Sequence, residues 1–135
     1  MVDVDHFKKF NDTHGHAVGD QVLRLVGRVL RDNIRECDMA ARYGGEEFAL
    51  VLPGIDLMAC KEVAERVRGR ISNAKLMRRT TGQEIGSVTV SIGVAQFRPA
   101  ESAEALIERS DRGLYQAKRT GRNRVVTEIE IDVAA

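Results

Sequence analysis

Two adjacent glycines, Gly44-Gly45, separate the strand-like runs Met39–Tyr43 and Glu46–Leu52, and this break constrains the fold more than any other feature of the chain. Paired glycines accept the positive φ of a tight turn, so the pattern predicts a β-hairpin closed by a two-residue turn, with Glu46 and Glu47 at its tip. The 135 residues around it suit one compact domain rather than two.

The flanking segments supply the other layers. Met1–Val4 reads as the end of a strand, followed by a turn through His6, Phe7, Lys8 and Lys9 into a short helical segment, with Phe7 and Phe10 as core anchors. Asn11-Asp12 and Gly15 mark a turn that Asp20 closes as a helix N-cap. From Asp20 to Ile34, Val22, Leu23, Val26, Val29, Leu30 and Ile34 recur at spacings of three and four, the stripe of a half-buried helix. Pro53-Gly54 ends the hairpin, and Asp56 caps a second striped helix carrying Val63, Ala64, Val67 and Ile71. A second hairpin is expected from Leu76–Arg79, a Thr81-Gly82 turn and Ser87–Ala95. Ser102 caps a third helix, with Leu106, Ile107, Ser110, Leu114 and Ala117 on one face, that stops at Gly121 before a last strand, Arg124–Glu130. This order predicts an α/β fold, a mixed central β-sheet flanked by helices, of the palm-like kind. The domain is expected over residues 1–127, with 128–135 as an acidic tail.

Charge narrows the partners. Twenty-one Lys and Arg balance 20 Asp and Glu to a formal +1, which excludes a broad surface for duplex nucleic acid or an anionic membrane. No apolar run approaches the roughly 20 residues that span a bilayer. Cys37 and Cys60 form neither a disulfide framework nor a CxxC pair and suit a reducing compartment, so a cytoplasmic location is expected. The balance hides local excess: Arg109 to Arg124 holds six basic residues against Asp111 alone. By itself such a run is a solvated helix face.

Asp3 and Asp5 end the first strand, and Glu46 and Glu47 sit on the hairpin expected beside it. Clustered carboxylates at strand ends offer the hard oxygen ligands that Mg²⁺ takes together with water and substrate phosphate, which points to metal-assisted phosphoryl transfer. After Asp5, unpaired backbone N–H groups at the start of the helical segment, with Lys8, could receive phosphate oxygens. Asn and Asp side chains such as those at 11, 12 and 20 can also read a guanine edge. The spacing of His6, His14 and His16 is not a zinc pattern.

Arg42-Tyr43-Gly44-Gly45-Glu46-Glu47-Phe48 resembles the signature of the GGDEF-domain diguanylate cyclases of bacterial signalling, in its GGEEF form. DVDHFKKFNDTHGHAVGD (Asp3–Asp20), VSIGVA (Val90–Ala95) and YQAKRTGRN (Tyr115–Asn123) agree in order and spacing, so the likeness runs from Met1 to about Val126. The resemblance implies the GGDEF palm-like nucleotidyl cyclase fold and the condensation of two GTP into cyclic di-GMP with loss of two pyrophosphates, across a homodimer. It implies two Mg²⁺ or Mn²⁺ ions per active site, held by Asp3, Glu46 and the Val4 carbonyl, with Glu47 as a further ligand or as a helper in activating the 3′-hydroxyl. Asn11 and Asp20 would read guanine. Backbone amides near His6 and Phe7, with Lys8, Lys118 and Arg122, would hold the β- and γ-phosphates. Lys118 and Arg122 are expected to face one way on an extended last helical turn, and Gly44 and Gly45 would let nucleotide lie against the turn.

Arg35 and Asp38 match the family's RxxD product-inhibition site, and Arg66 matches a second arginine that contacts cyclic di-GMP there; by spacing alone the first two are an ordinary i,i+3 pair. Family members carry a DxLTGLxNRR segment and usually a sensory domain ahead of the first strand. This sequence shows neither, so the chain reads as an N-terminally truncated catalytic domain whose own activity depends on what precedes it in the parent protein. A non-catalytic cyclic di-GMP or GTP receptor and an inactive cyclase fragment are the alternatives, and the intact hairpin favours the enzyme.

Overall fold

The computed structural model describes residues 1–131. Its elements run β1 (Val2–Val4), α1 (Phe7–His14), α2 (His16–Asp32), β2 (Met39–Arg42), β3 (Glu47–Val51), α3 (Leu57–Asn73), β4 (Leu76–Met77), β5 (Glu84–Gly86), β6 (Val90–Val94), α4 (Ala103–Arg119) and β7 (Val125–Thr127). Five strands form one sheet in the order β2-β3-β1-β6-β7. Only the β6/β7 pair is parallel. The expected mixed sheet flanked by helices is therefore present.

Strand register sorts the side chains. Val2 lies opposite Phe48 and Ile92, and Val4 opposite Val90, while Asp3 lies opposite Glu47 and Ser91. Because successive side chains point to opposite faces, Val2, Val4, Phe48, Val90 and Ile92 share one face and Asp3, Glu47 and Ser91 the other. The apolar face packs with Val22, Val26 and Leu30 of α2 and Ala64, Val67 and Ile71 of α3. Helix α4 crosses the polar face so closely that a Cβ on Gly93 would sit 1.9 Å from the Ser110 carbonyl oxygen and 2.3 Å from the Leu114 nitrogen.

Several local expectations are corrected. Asn11 and Asp12 lie inside α1, and α2 starts directly after Gly15 (φ 88°), which leaves Asp20 inside that helix and not at its cap. One left-handed residue is enough to join two helices, so no longer turn is needed. The first hairpin closes through three residues, Gly44, Gly45 and Glu46, with the Tyr43 and Gly44 amides both donating to the Glu47 carbonyl at 2.8 and 3.2 Å. Neither glycine is among the positive-φ residues, so their need is not conformational. The second hairpin pairs β4 with β5 as a separate small sheet, and Val90–Val94 is the core strand between β1 and β7. The final strand shortens to three residues. Of the acidic tail expected over 128–135, residues 132–135 lie outside the described residues, whereas Glu128 pairs with Arg98 and Arg109, and Glu130 with Lys61. The two caps hold: Asp56 accepts from the Ala59 amide at 2.8 Å and Ser102 from the Ala105 amide at 3.2 Å. Among the described residues, no helix is long and apolar enough to cross a membrane.

The Gly93 contact generates a prediction. Since both obstructing atoms are backbone, Gly93→Ala must push α4 off the sheet and should lower the unfolding free energy by about 3 kcal/mol in denaturant titration.

Candidate active site

The polar face of β1 ends in a cleft. Asp3, Val4, His6, Phe7 and Lys8 from the β1–α1 segment, Glu46 from the hairpin, and Lys118 and Arg122 from the end of α4 all line one cavity of about 410 Å³. The family resemblance grouped these residues, and the fold brings them together from three distant segments. Their supports differ from expectation in one respect: α4 stops at Arg119, so only Lys118 is helical, and Arg122 sits beyond it with φ 63°.

Asp3 is nearly covered, and the Lys118 ammonium lies 3.1 Å from its Oδ2. Burial pushes its carboxyl up to about 6, against the pull of Lys118, and the neighbouring charges of Glu46 and Glu47 push the same way. Ionised Asp3 is thus under-compensated. His6 opens α1 in a left-handed conformation (φ 54°) with no side-chain cap and no acid in the first turn, so the uncapped start of this helix borders the cavity.

Asn11 and Asp20 behave differently. Among the described residues the buried Asn11 Oδ1 has no hydrogen-bond partner, and it lies so near Gly19 that a Cβ there would come within 1.7 Å of it. Asp20 is exposed and lines a separate groove of about 710 Å³ with Leu23, Arg24, Arg28 and Arg42. Gly45 is open, with nothing within 4 Å of a built Cβ, while one on Gly44 would meet the Glu47 carboxylate at 3.1 Å. Open backbone here is consistent with close approach of a ligand.

Away from the cleft, Arg35 closes on Asp38 through Nε–Oδ2 and Nη2–Oδ1 contacts of 3.1 and 2.7 Å, and its Nη2 also donates to the Pro53 carbonyl at 2.7 Å. Hydrogen bonding from Arg35 holds the Asp38 carboxyl below its ordinary value. Arg66 donates to the Asn33 side chain and carbonyl at 3.2 and 3.0 Å, two residues from Arg35.

A family model described as "Diguanylate cyclase, GGDEF domain" matches residues 1–124. The chain belongs to the GGDEF-domain family. It is 45% identical over 126 residues to diguanylate cyclase VdcA of Vibrio cholerae, covering 93% of this chain and 37% of that protein. It is likewise 45% identical over 127 residues to the response regulator PleD of Caulobacter vibrioides, covering 93% and 28%. The chain thus spans about a third of the length of these curated relatives. Among solved structures, the GGDEF domain of DgcB from Caulobacter crescentus in complex with c-di-GMP superposes with a TM-score of 0.91 at 44% identity, covering 95% of this chain and 75% of that one.

The donor set of this GGDEF domain suits a hard divalent cation: buried Asp3 lacks sufficient counter-charge, and Glu46 and Glu47 raise the local negative charge further. Even so, no group of three or more His, Cys, Asp or Glu side chains closes into a metal-holding geometry among the described residues. Lys118 occupies Asp3 instead. Of the four acids grouped by sequence, Asp3, Asp5 and Glu46 line the cavity and Glu47 does not, but Asp5's oxygens are already engaged: Ser91 Oγ donates to its Oδ1 at 2.7 Å, and Thr89 Oγ1 and the Asn123 amide donate to its Oδ2 at 2.6 and 3.0 Å. A signal for this was available, since Ser87, Thr89 and Ser91 alternate with valines as a polar strand face would.

The Asp3 shift fixes a pH dependence. Its folded value near 6 exceeds the 3.8 of the unfolded chain, so the folded state binds more protons between them and this contribution to stability falls as pH rises through that window. After discounting for screening at the open side of the cleft, the unfolding free energy relative to Asp3→Asn should drop by about 1–2 kcal/mol between pH 4 and 7 in metal-free denaturant titrations. A flat difference would remove the buried-charge account.

Proposed function

We propose that this GGDEF domain is a diguanylate cyclase domain, condensing two GTP into cyclic di-GMP. The observation that carries the reading is the single cavity joining Asp3 and Glu46 to Lys8, Lys118 and Arg122, acids for cations beside bases for phosphates. Asp3, Glu46 and the Val4 carbonyl are the proposed ligands of Mg²⁺ or Mn²⁺, two per site, with Glu47 beside them. A bound divalent cation supplies Lewis-acid polarisation of the phosphate oxygens and eases deprotonation of a 3′-hydroxyl. Lys8, Lys118 and Arg122 hold the β- and γ-phosphates together with the His6–Phe7 amides at the uncapped start of α1. Lys118 then exchanges its Asp3 partner for phosphate, which frees the carboxylate at the moment substrate arrives.

In the reaction each ribose 3′-oxygen bonds to the other nucleotide's α-phosphorus as pyrophosphate leaves, so two GTP must meet face to face. One cleft of this size presents one triphosphate, and a second copy of the domain brings the other in the right orientation. Asn11 and Asp20 read guanine in this scheme, and Gly44 and Gly45 leave the hairpin tip clear for the nucleotide. Arg35, Asp38 and Arg66 form the site for inhibitory cyclic di-GMP: guanidinium forks suit phosphate and guanine edges, and the carboxylate suits guanine N–H groups. The remaining length of the parent protein carries the sensory input, and the reaction belongs in the cytoplasm.

Incubation with GTP and Mg²⁺, with products identified by mass, tests the reading. Glu46→Gln should reduce cyclic di-GMP formation at least about 100-fold with an unchanged far-ultraviolet circular dichroism spectrum. Retained turnover in that variant would falsify the metal role of Glu46, and tight cyclic di-GMP binding without any turnover in the unaltered chain or in longer forms would make the domain a receptor. Arg35→Ala should raise the product concentration for half-inhibition about tenfold or more, since it removes a charged fork. An unshifted inhibition curve would separate Arg35 from product control.

A further inference from the structure

We propose that Asp5 is a positioning residue whose carboxylate, by accepting the Asn123 amide, holds the left-handed Arg122–Asn123 pair and so sets Arg122 in the phosphate cavity. This rests on the reading of that cavity as a triphosphate site. Arg122 and Asn123 have φ of 63° and 47°, two consecutive non-glycine residues in a conformation that L side chains avoid. Such a pair persists only where its surroundings over-determine it. On the helix side, the Arg122 amide donates to the Ala117 carbonyl at 2.9 Å, closing the end of α4. On the sheet side, the Asn123 amide donates to Asp5 Oδ2 at 3.0 Å, 118 residues away in sequence. Arg68 Nη1 donates to the Asn123 Oδ1 at 2.8 Å, and Arg124 Nε donates to the Arg122 carbonyl at 3.1 Å. Arg68 thus engages the Asn123 side chain and Arg124 the carbonyl of the Arg122–Asn123 peptide, while Asp5 takes its N–H.

Asp5 is itself fixed. Ser91 and Thr89 donate hydroxyls to its two oxygens, and its own amide donates to the Thr89 carbonyl at 2.9 Å. Three of its acceptor positions are taken by donors of the fold, so its carboxylate serves the loop. Lys118 does not depend on this clamp, because it belongs to the last turn of α4. Lys118 and Arg122 are therefore placed independently, one by a helix and the other by a buried carboxylate beside the proposed metal acid Asp3. Loss of Asp5 should remove the contribution of Arg122 and leave that of Lys118.

Calorimetric titration of the full chain with GTP and with GMP, both with Mg²⁺, tests this in a double-mutant cycle of Asp5→Ala and Arg122→Ala. Asp5→Ala should weaken GTP about tenfold and GMP less than about twofold, and should add no more than about twofold to the loss already caused by Arg122→Ala. Equal losses for GTP and GMP, or penalties that add in the double variant, overturn the positioning role while the triphosphate reading stands. If Arg122→Ala leaves the GTP-to-GMP ratio unchanged, the triphosphate reading fails and this inference with it. Asp5→Leu, which removes every acceptor oxygen at near-constant size, carries the same cycle should Asp5→Ala not fold. Amide hydrogen exchange on the unaltered chain needs no variant: Asn123 should be protected, and exchange at the free-peptide rate overturns the clamp.

Discussion

The alternation of β1 is the constraint on which the rest of the structure depends. Three residues pair with β3 on one side and β6 on the other, so the strand is enclosed laterally and its side chains have only two directions available. Val2 and Val4 take the face covered by α2 and α3. Asp3 is thereby forced onto the face crossed by α4, where burial makes its charge costly. The same geometry that builds the core creates the under-compensated carboxylate of the cleft. A register slip of one residue would bury Asp3 among valines and expose the core face, so fold and site are specified together.

Much of the fold was legible because its signals are local. The caps Asp56 and Ser102, the stripes of α2, α3 and α4, and the hairpin runs each depend on residues a few positions apart. The errors fall where a local pattern admits two outcomes. Gly15 could end a loop or join two helices, and tertiary packing chose the join, which moved Asn11 and Asp20 into helices. The run from Ser87 to Ala95 is equally good as half of a hairpin or as a core strand, and its pairing with β1 and β7 settles that at long range. The Gly44-Gly45 tip suggests a demand for positive φ; neither residue adopts it, and the two differ in surroundings, Gly44 lying against the Glu47 carboxylate and Gly45 facing open space.

The site was legible in its membership but not in its supports. Residue types and strand order point to Asp3 and Glu46, the family resemblance adds Lys118 and Arg122, and one cavity contains all four. Helical spacing of Lys118 and Arg122 was the wrong reason for a correct neighbourhood, since Arg122 is held beyond the helix by a left-handed turn. Nothing local could reveal that Asp5 answers the Asn123 amide across 118 residues. That contact depends on sheet order, which no window of sequence contains.

The pairs Arg35–Asp38 and Lys118–Asp3 are set in opposite electrostatic states. At Arg35–Asp38 the counter-charge is bidentate and exposed, and it keeps the Asp38 carboxyl low, so this pair is fully ionised and closed on itself across the neutral range. A ligand there must compete with an existing ion pair, trading one set of charge-assisted hydrogen bonds for another. At Asp3 the single contact from Lys118 is outweighed by burial and by neighbouring acids, so positive charge entering the cleft is stabilised rather than resisted. An incoming positive charge therefore relieves the Asp3 site, whereas the Arg35–Asp38 pair is already satisfied by its two mutual contacts and by the Pro53 carbonyl.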